Sequence, residues 1–154
     1  RNIFYNIACV SFSFPKSHMN MVQCGAMSFS RELPTDLLSQ SDHLSLASFY
    51  LEKHKNTNQG KIQEFQTRCF TLTRALNEAN APKIIDFLSV DVEGHEIEVL
   101  GGLDFESYSF RFILLESRDF HETEVFMNNR GYELLGILSP SDIIFINTSL
   151  TSGR

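Results

Sequence analysis

The sequence predicts an α/β protein built on a mostly parallel sheet that ends in one antiparallel hairpin. Three observations lead there. "IIDFLSV" (84–90) and "FRFILLE" (110–116) are nearly continuous apolar runs, as expected of strands buried on both faces of a parallel sheet. A helix-compatible segment bounded by glycine follows each of them. "YELLGIL" (132–138) and "DIIFIN" (142–147) are separated only by Ser139-Pro140-Ser141, a turn too short for a crossover, so the last strand must run antiparallel to the one before it.

Taken in order, residues 2–11 are rich in Ile, Phe, Tyr and Val and read as a strand. Residues 15–60 carry a short strand-like run at 21–24, then Gly25 and a serine-rich turn. A helix follows, opening at Ser41 or Asp42 with basic residues in its last turn, and "NTNQG" breaks it. "IQEFQTRCF" (62–70) reads as a short strand. Leu72, Ala75, Leu76 and Ala79 then form one apolar helical stripe, with Thr71 as N-cap and Ala81-Pro82 as the stop. After strand 84–90 a short helix covers about 94–100 and ends at Gly101-Gly102. After strand 110–116, "DFHETEVFMNNRG" is a helix with Asp119 near its start and Gly131 just past its end. Residues 148–154 read as a polar tail, and the whole chain reads as a single, partial domain.

Composition narrows the function. With 154 residues and a 42% hydrophobic content, the chain can bury a sizeable core. A net charge of −6 and scattered basic residues give no electrostatic reason to expect nucleic acid. No apolar run approaches the ~20 residues of a membrane span, and the N-terminal stretch lacks the basic n-region and cleavage site of a signal peptide. Cys9, Cys24 and Cys69 are odd in number and form no CxxC, which argues against a disulfide framework or a structural zinc site. Free thiols in a reducing compartment, a cytoplasmic protein, is the expectation. The chain starts at Arg1 and enters a strand at once, so the fold is expected to be incomplete at its N-terminus.

The chemistry concentrates in "DVEGHEIE" (91–98), where an apolar strand runs directly into four acids. Ligands of open α/β sheets bind beyond the carboxyl ends of the strands, which is where Asp91 to Gly94 fall. A helix N-terminus also favours negative charge, so Asp91 and Glu93 could be caps and nothing more. Gly94 permits a tight turn or a close backbone approach to a ligand. His95 is a candidate base, with an exposed helix position as the simpler reading, and Glu98 reads as solvated surface. Glu116 ends the next strand on the same rim, where it could line an acceptor pocket or cap the following helix.

"IDFLSVDVEGHEIEVLGGLDF" (85–105) resembles the signature of the FkbM-type methyltransferases, a class I branch that uses S-adenosylmethionine. Asp86, Asp91, Val92, Glu93, Gly94, Glu96, Val99, Leu100 and Gly102 match its pattern. Weaker similarity runs through "FILLES" (112–117), "FMNNRGYELLG" (126–136) and "DIIFIN" (142–147). Upstream, "NIACVS" (6–11), "GAMSF" (25–29) and "FTLTRAL" (70–76) are similar to family segments. The resemblance implies a Rossmann-like sheet and methyl transfer to an oxygen nucleophile on a small molecule or sugar. It implies Asp91 as first choice for the group that accepts or orients the acceptor proton, followed by Glu93 and His95. It also implies cofactor contacts from Ala8, Cys9 and Asp91, and acceptor contacts from Glu116 and Ser28. No metal ligand is assigned, although the rim carboxylates could instead bind a divalent metal that polarises the acceptor.

One departure matters. The glycine-rich turn that approaches the cofactor in class I enzymes, and the acid that ends their second strand, have no counterpart; no GxG occurs in the chain. The class I strand order is 3-2-1-4-5-7-6, and residues 2–10 resemble the third strand. They are therefore expected not to pair with 84–90, and the isolated chain is expected to bind S-adenosylmethionine negligibly. Two other readings stay open: a non-catalytic interaction domain that keeps the core without the activity, and a metal-dependent hydrolase, disfavoured because no histidine stands at ligand spacing to the acids.

Overall fold

Parallel strands at the centre of the chain set the position of everything that follows. A computed structural model describes residues 3–24, 27–30 and 62–151, without the side chains of residues 24, 27–29 and 62. The helix expected to open at Ser41 or Asp42 and the turn at Gly25 lie outside the described residues. The chain divides into two units. One comprises Arg1–Tyr5, Cys9–Phe14 and Phe70–Arg154, the other Asn6–Ala8 and Pro15–Cys69.

The second of these units carries a four-stranded sheet in the order β1-β4-β2-β3, formed by β1 (Ile7–Cys9), β2 (His18–Cys24), β3 (Met27–Ser30) and β4 (Ile62–Phe70). β2 pairs antiparallel with β3 and with β4. β2 is longer than the 21–24 run that the sequence suggests, and β1 is shorter than 2–11. Met19 and Val22 are both buried although three positions apart, so no two-residue alternation marks the strand.

In the other unit, α1 (Leu72–Glu78) starts where expected: the Thr71 side chain accepts a hydrogen bond from the Arg74 amide at 3.1 Å. β5 (Ile84–Val90), α2 (Glu96–Leu100), β6 (Ser109–Glu116), α3 (Phe120–Asn128), β7 (Tyr132–Ile137) and β8 (Asp142–Asn147) follow. β5 and β6 are parallel, and β8 lies between β6 and β7, antiparallel to both. The sheet β5-β6-β8-β7 is therefore mixed: β5, β6 and β7 run one way and β8 the other. One of its three pairings is parallel and two are antiparallel, and the expected closing hairpin is present. As expected, residues of β1 do not pair with β5: β1 lies next to β4, and β5 next to β6. Thr148–Thr151 closes into one helical turn, α4, where the sequence reads as tail.

Register and alternation decide which sheet face is the core. Leu115 stands opposite Ile143 and Ile113 opposite Phe145; these four are at most 1% exposed. They share one cluster with Val90, with Val99 and Leu100 of α2, and with Met127 of α3. Each such side chain contributes about 1.5–3 kcal/mol by leaving water. α3 is held at both ends. The Asp119 carboxylate accepts from the Glu122 amide at 2.9 Å, and Gly131 takes a φ of +79° beyond the helix.

One expectation is corrected here. β5 is not covered on both faces: Ile84 and Phe87 are 50% and 51% exposed. The reason is its place in the sheet. Among the described strands β5 has a neighbour on one side only, so it is an edge, and apolar composition alone does not bury an edge strand.

Gly101-Gly102 does more than stop α2. Gly101 keeps a right-handed φ of −63° as the C-cap. A Cβ on Gly102 would collide with the Val10 carbonyl oxygen and lie 3.3 Å from the Leu72 amide nitrogen. The Gly102 carbonyl accepts from the Thr73 amide at 3.0 Å and from its hydroxyl at 2.9 Å. The glycine is the point where α1, the 9–14 segment and α2 meet. No helix among the described residues is long and apolar enough to cross a membrane.

Candidate active site

Val90 of β5 pairs with Leu115 of β6, so Asp91, just past β5, and Glu116, the last residue of β6, come level on the carboxyl rim of the sheet. Two carboxylates this close repel, so one of them is favoured to keep its proton. Burial, then the charge and hydrogen bond of Asp91, and then Glu93 and Glu96 push the Glu116 carboxyl up to about 7. A carboxyl with raised proton affinity beside a second carboxylate, at the ends of adjacent parallel strands, is the central chemical feature of the rim.

The turn that follows β5 is tightly bent. Glu93 has a φ of +59° and Gly94 one of +91°, two left-handed residues in succession. Glycine adopts this conformation without strain, whereas glutamate does so at a cost and must be held. Glu93 is partly covered, and its carboxylate oxygen Oε2 lies 3.9 Å from Nη2 of Arg118. Burial and the charge of Asp91 raise its proton affinity, Arg118 opposes them, and Glu96 adds to the rise. Beyond Glu116, the chain is pinned by the Ser117 amide, which donates to the Ser141 carbonyl at 2.7 Å. The Ser117 and Thr123 hydroxyls, both buried, lie 2.7 Å apart.

The expected site residues fall out as follows. Asp91, Glu93 and Glu116 come together on the rim, with Asp91 exposed to solvent. His95 does not take the exposed helix position expected for it. It is 6% exposed, precedes α2 as its N-cap and makes no side-chain capping bond. Glu98 is half-buried. Ala8 and Cys9 lie on β1, and the half-buried Cys9 packs against the apolar cluster, where burial raises its thiol pKa. Cys9 and Cys69 are free thiols. Ser28 is on β3 opposite Gln23, and its side chain lies outside those described.

Two residues were not legible as part of the site. Arg118, just past β6, supplies the positive charge beside Glu93. Glu96, read as a helix residue, is 5% exposed and turns its carboxylate back onto the turn. The pairing of Asp91 with Glu116 did leave a signal: two apolar strands of similar length, each ending in an acid, come level once they are parallel neighbours. Among the described residues no three His, Cys, Asp or Glu side chains are arranged to hold a metal ion. An open groove of about 790 Å³ in the same unit, lined in part by Phe12, Thr73, Asp104 and Arg130, includes none of these acids.

Comparison with known proteins fits this geometry into a family. No curated protein and no solved structure matches the chain. A family model, the methyltransferase FkbM domain, matches residues 19–134, well over half of the chain and including the whole acid rim. The chain therefore belongs to the FkbM methyltransferase domain family.

Proposed function

We propose that the protein is an S-adenosylmethionine-dependent methyltransferase that methylates a hydroxyl group of a small molecule or sugar, with the Asp91–Glu116 pair taking up the acceptor's proton. The observation that carries this reading is the placement of the two carboxyls at adjacent strand ends, with Glu116 pushed up to about 7, on the rim where open α/β sheets bind ligands. The sheet order supports the class I architecture, since β5-β6-β8-β7 reproduces the 4-5-7-6 half of its strand sequence.

The rim suits the reactive end of the cofactor, because Asp91 and Glu93 present negative charge where a sulfonium would bring positive charge. The cofactor, when bound, supplies an electrophilic methyl group whose carbon–sulfur bond breaks as the acceptor's oxygen–carbon bond forms, the bonding pair leaving with sulfur as a thioether. The chain's own task is to orient the hydroxyl and receive its proton at an Asp91 oxygen. Glu116 keeps its proton until pH rises through about 7 and can then join in taking up the acceptor's proton, so turnover should rise over that range. Arg118 limits the repulsion by standing beside Glu93.

The test is methyl transfer by the full-length protein from labelled S-adenosylmethionine to a panel of sugars and small hydroxyl compounds, with the product's methylated atom identified. An O-methyl product supports the reading. Transfer to nitrogen or carbon alone, or none to any acceptor, refutes it.

A further inference from the structure

Glu96 is the first residue of α2, yet its carboxylate does not serve that helix. Its Oε1 accepts hydrogen bonds from the Val92 amide at 3.0 Å and from the Gly94 amide at 3.2 Å. These two N–H groups flank Glu93, the one residue of the turn that takes a left-handed φ without being glycine. Amides of nearby residues that converge on one acceptor make an anion-binding concavity, and here the Val92 and Gly94 amides converge on an anion supplied by the chain. At 5% exposure, the Glu96 carboxylate is withdrawn from solvent and committed to this contact.

The consequence concerns the residues that face outward. Asp91 begins the turn and Glu93 is its apex, so the path of the backbone from 91 to 94 decides where both carboxylates point. Released from Glu96, the half-buried Val92 and the exposed Gly94 lose the acceptor of their amides, and the turn loses the contact that spans the strained φ of Glu93. We infer that Glu96 is the positioning residue of the site, clamping the 91–94 turn so that Asp91 stays against Glu116. The inference deepens the proposed methyltransferase reading, but its test is chosen to stand without turnover.

The experiment compares Glu96→Ala with Glu96→Gln in the full-length protein. The amide side chain of glutamine keeps an oxygen that can accept both N–H bonds, whereas alanine keeps none. Two readouts are followed: hydrogen exchange at the Val92 and Gly94 amides, and the carboxyl titration of Glu116. The groups facing Glu116 are Asp91, Glu93 and Glu96, with Arg118 beside Glu93 and Asp142 opposite Glu116 on β8. In Glu96→Ala both amides should exchange roughly tenfold faster or more. Glu116 should lose most of its elevated proton affinity, because Asp91 drifts away. In Glu96→Gln the amides should stay protected, and Glu116 should move only by the loss of one neighbouring charge.

Unchanged exchange and an unchanged Glu116 titration in Glu96→Ala would overturn the inference. So would a Glu96→Gln protein whose amides exchange as fast as those of Glu96→Ala, a comparison that still decides if the alanine variant folds poorly. A wild-type protein that transfers no methyl group would sink the functional reading and leave these readouts intact, so the two failures are distinguishable.

Discussion

Removing the charge of Asp91 should release the proton held by Glu116. A carboxyl that titrates near 7 instead of its ordinary 4.5 binds its proton roughly 300-fold more tightly. Burial is the largest cause and would survive an Asp91→Asn substitution. The charge of Asp91 would not, although the amide oxygen introduced by the substitution can still accept a hydrogen bond, and a like charge at such range is worth about one to three pK units. Glu116 in Asp91→Asn should therefore bind its proton at least about tenfold less tightly, yet remain above 4.5 because burial, Glu93 and Glu96 remain. Carbon NMR of the glutamate side-chain carboxyls across pH 3–9, on wild type and variant, reads both midpoints. A wild-type Glu116 inflection near 4.5 would refute its raised proton affinity, and an inflection unmoved by Asp91→Asn would refute the part assigned to Asp91.

Stability should depend on pH in a definite direction. Glu116 and Glu93 both have folded-state proton affinities above their ordinary values, so their contribution is fully present below about 4.5 and is lost as pH rises through about 7 for Glu116. Urea denaturation of wild type against Glu116→Gln should show the gap between them change over that window, and a constant gap would count against it. Gly102→Ala should destabilise by about 3 kcal/mol or more, since the new Cβ meets the Val10 backbone, not a movable side chain; an unchanged urea midpoint would mean the junction is looser than described. Asp119→Ala should cost about 1 kcal/mol by removing the α3 cap, seen as a lower melting temperature with no change in the Glu116 titration.

Local rules carried far in the C-terminal half. The three-residue turn at 139–141 forces the hairpin, Thr71 and Asp119 cap the helices they precede, and Gly131 follows α3 as such a glycine should. What failed were properties that depend on neighbours in space. The exposure of β5 follows from its place at a sheet edge, and nothing within "IIDFLSV" encodes that. His95 and Glu96 are polar residues next to a helix start, which by composition belong in water; they are buried because the turn folds back over them. The N-terminal sheet was least legible because β2 mixes polar and apolar residues without a fixed period. In the site, Asp91 and Glu93 stood out by type and position, while the roles of Glu116, Glu96 and Arg118 required the register of two parallel strands.

The most direct test of the central claim is the turnover of Asp91→Asn against wild type in the full-length protein, with saturating S-adenosylmethionine and an acceptor that wild type methylates. Asp91 is exposed at the end of β5, so the substitution should leave the fold in place. If Asp91 receives the acceptor's proton, kcat should fall by about 10²–10⁴-fold, and its rise through pH 7 should vanish. Turnover equal to wild type, with the same pH profile, would contradict the account.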